Sequence, residues 1–323
     1  MPAEETARQM VKALVRGQPI ARPLLMPVVF SLGARLENLP LRDYLRNPTK
    51  ISNALRQVRG AFGVDGLACY CDPSLEAEAL GCNREREDDS RPAQAGRNAE
   101  SVEDLRRRVE MAGGILKMGR FPVAIEVLRR LRMMLRDDPA LMVVVTGPYT
   151  LATQLEQGPP EKGGLEFWGE VVARAVEGYL EAGADVIFLE ERDPPDAAGN
   201  DGWRSMLDPI INAIRFYEAL PVLEFGDTLG KQELGFLFRQ NWDCALCLDV
   251  TTVSAANWPG IAPWRGVRIP AAELAGADSL PTATLAAASG ANFLSSRDVP
   301  ACAEMKLLAR NLATIRGHLI SGA

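Results

Sequence analysis

An α/β fold, a (β/α)8 TIM barrel in a single domain, is predicted for this 323-residue sequence by three observations. Short apolar runs alternate with longer amphipathic stretches, the pattern of strand–helix units around a parallel sheet. Eight such runs can be counted, and each ends near Gly, Pro, Asp or Ser, where a turn can begin. No Gly-x-Gly-x-x-Gly follows a strand, so an open dinucleotide-binding sheet has little support.

In chain order, Glu4–Val15 reads as a helix that caps the barrel floor. Residues 1–22 are then an N-terminal helical extension and 23–323 the barrel. The predicted strands are Leu24–Phe30, Gly66–Cys71, Leu141–Thr146, Asp185–Leu189, Pro221–Phe225, Cys244–Asp249, Gly266–Ile269 and Asn292–Ser295. Helical periodicity fills the gaps at Pro48–Phe62, Val102–Met111, Val123–Leu135, Leu165–Ala182, Leu207–Ala219, Lys231–Phe238 and Cys302–Ile320. Asn83–Glu103 is charged and poor in apolar residues, and 192–203 holds two Pro and two Gly, so both read as exposed loops.

Apolar residues make up 47% of the chain, enough for a large core. The net charge is -6 and the pI about 5.2, with no long basic run. A nucleic-acid or anionic-membrane partner is disfavoured, because phosphate binding needs a Lys/Arg surplus on one face. No apolar stretch approaches the roughly 18 residues of a membrane span. The N-terminus lacks the basic start and apolar run of a secretory signal. Several of the six cysteines sit in strand-like segments, which suits reduced thiols in a cytoplasmic protein.

In such a barrel the active site lies at the C-terminal ends of the strands. That rule selects Arg35, Cys71 and Asp72, Gly147–Thr150, then Glu190, Glu191 and Asp193. It goes on to Glu224 and Asp227, Cys247 and Asp249, Arg268, and Ser296, Arg297 and Asp298. The mouth is rich in carboxylates, with a few arginines and thiols. Asp72 is a catalytic candidate or a cap for the next segment. Tyr149 lines the pocket or packs under the helix that follows. Arg268 and Arg297 pair with mouth carboxylates or hold an anionic substrate. Trp258 and Trp264 form a lid or belong to the loop's own core. Cys244 and Cys247 are two buried thiols or a lone Cys-x-x-Cys.

Four segments carry a family resemblance. Phe62–Gly66 runs into Asp72-Pro73-Ser74-Leu75-Glu76-Ala77-Glu78-Ala79-Leu80-Gly81-Cys82. Gly147-Pro148-Tyr149-Thr150-Leu151-Ala152 is a Gly-Pro-aromatic-Thr-Leu-Ala turn. Glu181–Ile187 leads into the fourth strand. Phe293–Ser296 with Asp298-Val299-Pro300 forms the last strand and loop. Together they resemble the uroporphyrinogen decarboxylase superfamily, closest to its corrinoid-dependent methyltransferase branch, from about residue 23 to 320.

The resemblance implies a methyltransferase that moves a methyl group between a small methylated substrate or acceptor and a corrinoid protein. Its alternatives are a uroporphyrinogen-type decarboxylase and a non-catalytic binding paralogue. The decarboxylases carry an Arg-rich loop after the first strand, here reduced to Ser31–Arg35, and a catalytic Asp that aligns with Asp72. Their Tyr position holds Gln154. An octacarboxylate tetrapyrrole needs more cations than these. The methyltransferases bind zinc through His-x-Cys after strand five and a late Cys. Here the first two positions are Glu224 and Gly226, and the late Cys aligns near Arg297. The single histidine, His318, reads as a surface residue of the last helix. The standard zinc set is absent. A rearranged set of Glu224, Cys247 and Asp249 is one reading, since residues two apart on a strand share a face. In the other reading Asp72 and Glu224 act as acid/base groups or bind a cationic substrate. Arg35, Tyr149, Gln154, Arg268 and Arg297 are the expected substrate contacts, and a homodimer is a possible assembly.

Overall fold

The computed structural model describes residues 5–82, 84–85, 94–95, 101–136, 138–155, 165–192, 200–226, 229, 235, 237, 242–255, 263–278, 280–288 and 290–321. Eight parallel strands form one sheet: β1 Leu24–Met26, β2 Gly66–Tyr70, β3 Ala140–Thr146, β4 Val186–Glu191, β5 Leu220–Phe225, β6 Ala245–Asp249, β7 Trp264–Ile269 and β8 Phe293–Ser296. Their order is β1-β8-β7-β6-β5-β4-β3-β2. The Asp65 amide at the start of β2 donates to the Leu25 carbonyl at 2.8 Å, which brings the two ends of the sheet together as a nearly closed barrel. This is the predicted fold, with strands starting and ending within a residue or two of their predicted limits, except at β1.

Strand β1 stops at Met26 rather than Phe30. Pro27 follows and has no N–H to continue the ladder. The backbone then leaves the sheet, and the Val28 amide donates to the Ser296 hydroxyl at 3.2 Å. The helix predicted at Leu207–Ala219 runs instead over Asn200–Phe216. Its first turn includes buried Trp203, an apolar anchor inside what the Pro and Gly content marked as loop. Within the predicted loop Asn83–Glu103, Arg84–Glu85 and Gln94–Ala95 pair as a short antiparallel ribbon. Most of Lys231–Phe238 lies outside the described residues.

The interior is filled in layers, as closed parallel barrels require. Phe188 on β4 and Phe293 on β8 meet edge to face across the barrel, with centroids 6.2 Å apart. A Cβ at Gly266 would overlap the Phe293 ring, and one at Gly66 would overlap Met142 and Met26. Both glycines therefore make room for a large neighbour in the same layer.

The barrel floor repeats one device. Asp65, Asp185 and Asn292 stand just before β2, β4 and β8, and the side chain of each accepts the amide of the second residue of the strand beside it. The donors are Leu25 at 2.7 Å, Leu141 at 2.9 Å and Arg265 at 2.8 Å. Asp185 is also held by Arg8 and Arg132, and Asp65 by Arg22. Arg8 belongs to the Ala7–Val15 helix, whose Thr6–Gln9 capping box fixes its start. That helix packs beneath β3 and β5. Among the described residues, no helix is long and apolar enough to cross a membrane.

Replacing Gly266 by alanine should force Phe293 off its rotamer and cost about 1–3 kcal/mol, as overpacked cores do. A denaturant midpoint equal to that of the parent protein would show that the layer has slack.

Candidate active site

One layer above the two phenylalanines the barrel becomes polar. Strand residues two apart share a face, so Glu190 and Ser295 stand over Phe188 and Phe293 on opposite sides of the ring. Glu190 is in register with Glu224, and Glu224 with Cys247. Asp249 is in register with Arg268, and Arg268 with Ser295. Cys71 faces the same space: burial raises its thiol pKa, and Asp298, Glu190, Asp72 and Glu224 raise it further.

Arg268 is 3% exposed and crosses this layer to reach β5. Its Nη1 donates to Glu224 Oε1 at 2.9 Å and to the Phe225 carbonyl. Its Nη2 is 3.5 Å from the Gly226 carbonyl, and its Nε is 3.7 Å from Asp249 Oδ2. The guanidinium thus closes the end of β5 and pairs with two carboxylates. Glu224 is 6% exposed. Burial raises its pKa, Arg268 lowers it and neighbouring Glu190 raises it again, leaving it at about 7. Its carboxyl therefore carries a proton over part of the physiological range.

The Gly147–Pro148 turn is built around another carboxylate. Glu191 is fully buried and accepts the amides of Tyr149 at 3.1 Å and Thr150 at 2.7 Å, at the N-terminus of the Pro148–Leu155 helix. Trp203 Nε1 donates to it at 2.8 Å. A Cβ at position 147 would overlap the Glu191 carboxyl, so this turn needs glycine. Pro148 takes the first helical position, where no N–H is needed.

A family model described as uroporphyrinogen decarboxylase (URO-D) matches residues 6–214. The chain belongs to that family. No match is found among curated proteins. Among solved structures, a methyltransferase from Methanosarcina mazei superimposes with a TM-score of 0.74 at 18% identity, covering 97% of this chain and 99% of that one. A B12-independent methionine synthase from Shewanella sp. W3-18-1 gives 0.51 at 12% identity, covering 84% and 89%. At these identities the two structures support the fold.

The expected site residues of this family member divide into two groups. Glu224, Arg268, Cys247 and Asp249 come together in the polar layer. Asp72 does not open into it as a free acid. Its Oδ1 accepts the Ser74 amide at 2.9 Å and hydroxyl at 2.7 Å, and its Oδ2 lies 2.5 Å from Arg120 Nη1. It caps the following segment, the second reading of this residue from the sequence. Arg35 points elsewhere, donating to the carbonyls of Cys302 at 3.3 Å and Ala303 at 2.8 Å. Tyr149 is half-buried at the start of its helix, and Gln154 lies on the same helix with its Oε1 buried and unbonded. Arg297 is exposed on the rim and bears on the Glu224 carboxyl electrostatically. Trp264 is a buried strand residue; Asp193, Asp227 and Trp258 lie outside the described residues.

The suggested metal ligands already surround a cation. Among the described residues, no three His, Cys, Asp or Glu side chains form a group able to hold a metal ion. Glu224, Cys247 and Asp249 share the layer, but the Arg268 guanidinium lies against both carboxylates. A cation would have to displace another cation. These residues do not fit zinc. Cys244 and Cys247 are both buried, and three-residue spacing puts them on opposite strand faces.

Three contributors were not singled out from the sequence. Glu190 appeared only as a mouth position; its importance comes from the β4–β5 register. Arg120 and Glu76 lie off the strand ends. Arg120 is 2% exposed and joins Asp72, Glu78 and the Tyr70 hydroxyl. Glu76 is buried, accepts from the Thr146 hydroxyl at 2.8 Å and leaves Oε1 unbonded. The paired carboxylates of the Glu76–Glu78 run were the available signal for both.

Burial raises the Glu76 carboxyl from its ordinary 4.5 to about 7. Its contribution to stability is complete below 4.5 and is lost as pH rises through 7. Denaturant midpoints measured from pH 5 to 8 should fall less for Glu76→Gln than for the parent; parallel curves would contradict this. Arg268→Ala leaves Glu224 buried without its cation and should cost about 3–5 kcal/mol. A smaller loss would mean that the pair contributes little.

Proposed function

We propose that this barrel is a methyltransferase of the uroporphyrinogen decarboxylase family, acting between a small methylated substrate and a corrinoid on a partner protein. The observation that carries this reading is Glu224, a buried carboxyl hydrogen-bonded to Arg268 at 2.9 Å at the barrel mouth, whose burial raises its pKa toward neutrality. Methyl transfer from oxygen or nitrogen breaks a bond whose electron pair stays on the heteroatom. That atom leaves well only when protonated. An acid whose pKa lies near the working pH can supply the proton.

The rest of the site supports methyl transfer over the decarboxylase alternative. An octacarboxylate substrate needs free cations, and the Arg268 donors are taken up by protein oxygens. The carboxylates Glu190, Glu224 and Asp249 stand in the same layer. The mouth is therefore the wrong sign for a polyanion. The small substrate would sit on the Phe188–Phe293 floor, with the corrinoid approaching from the open end of the barrel. Positioning the two reactants supplies much of the rate in such a reaction.

The test is methyl transfer to free reduced cobalamin, followed by absorbance, with methanol, anisole and dimethylamine as donors. Methylation by at least one donor is expected, with Glu224→Gln slower by about 100-fold or more for the oxygen donors, whose leaving atom arrives unprotonated. No transfer from any of the three, or an undiminished rate in the variant, would overturn the proposal.

A further inference from the structure

We infer that the substrate pocket takes a cationic nitrogen, the ammonium group of a methylated amine, held between Glu190 and Ser295 over the phenylalanine floor. The word "methylated" rests on the function proposed above; the ammonium site does not.

Most mouth carboxylates are already engaged. Glu191 accepts three protein donors, and Asp72 is bound by Arg120 and Ser74. Asp298 accepts the amides of Phe30 at 2.9 Å and Ser31 at 3.0 Å. Asp249 accepts from the Thr251 amide and hydroxyl. Glu224 has Arg268. Glu190 differs. It is half-buried on the interior face beside Glu224, and its carboxylate has no hydrogen bond or ion pair among the described residues. A carboxylate held partly out of water without a partner favours an arriving cation.

Ser295 gives an independent indication. It is 1% exposed, and its hydroxyl is buried without a partner. Buried polar groups are nearly always hydrogen-bonded, so an orphan hydroxyl on the inner face of the barrel points to a missing partner. Ser295 lies on β8, four strands from β4 in the ring of eight, and so faces Glu190 across the barrel. Below both lies the Phe188–Phe293 pair, an apolar floor for N-methyl groups. The Arg268 donors are occupied by protein oxygens, and Arg297 is also engaged. An ammonium N–H donating to Glu190, with its alkyl groups below and Ser295 opposite, satisfies each unmet group.

The experiment is titration calorimetry of the full chain with dimethylammonium, dimethyl ether and acetate at pH 7.5. Dimethylammonium should bind, and the other two should not. Glu190→Gln should weaken that binding at least tenfold and Ser295→Ala severalfold. Glu110→Gln, on a helix away from the mouth, should leave it unchanged. Binding unaffected by either pocket variant would overturn the inference. So would binding of dimethyl ether equal to that of the ammonium. The cobalamin assay separates the two claims. Glu190-dependent ammonium binding without any methyl transfer would remove the methyltransferase reading and keep the site. Methyl transfer from methanol or anisole, with no ammonium binding, would keep the reading and remove the site.

Discussion

A guanidinium buried inside a barrel must have its charge balanced where it stands, and the polar layer of this molecule is organised by that requirement. Arg268 leaves β7, passes Cys247 on β6 and ends against Glu224 and the last carbonyls of β5. Removing an ion from water costs several kcal/mol, and only close partners offset this. The carbonyls of Phe225 and Gly226 and two carboxylates provide them. The arrangement also sets the chemistry. Glu224 is buried enough to hold a proton near neutrality, yet stays close enough to Arg268 to release it.

The same logic separates structural from available acids. The fold uses several buried carboxylates as fasteners. Glu191 fixes the Gly147–Pro148 turn, Asp298 ties the last loop to Phe30 and Ser31, and Asp65 and Asp185 join strands at the floor. Each is met by backbone amides or arginines. Strand ends near a barrel mouth are therefore rich in acids for reasons of assembly as well as catalysis. Position at a strand end does not identify a reactive group; lack of a protein partner is more informative.

That distinction explains how far the sequence could be read. The eight strands were legible because each is a short apolar run with a turn signal after it, and the family was legible from the Gly-Pro-aromatic turn and the Asp-Pro-Ser segment. The Glu224–Arg268 pairing was one of two readings open for Arg268. Asp72 could not be separated from a catalytic acid, because its partner Arg120 lies 48 residues further along and is brought to it only by tertiary packing. The cation lying among Glu224, Cys247 and Asp249 was hidden for a similar reason. Spacing along β6 puts Cys247 and Asp249 on one face, but it does not show that a side chain from β7 already fills the gap. Glu190 emerged only from the register of β4 against β5.

On the reading proposed above, Glu224, paired with Arg268, is a proton-carrying acid near neutral pH. Infrared difference titration of the carboxyl band, comparing the parent protein with Glu224→Gln between pH 5 and 9, tests this most directly. The predicted result is a protonated-carboxyl component that disappears through about pH 7 and survives in the parent-minus-variant difference, where the Glu76 band common to both proteins cancels. Identical spectra for the two proteins throughout that range would show Glu224 to be already ionised and would contradict the account.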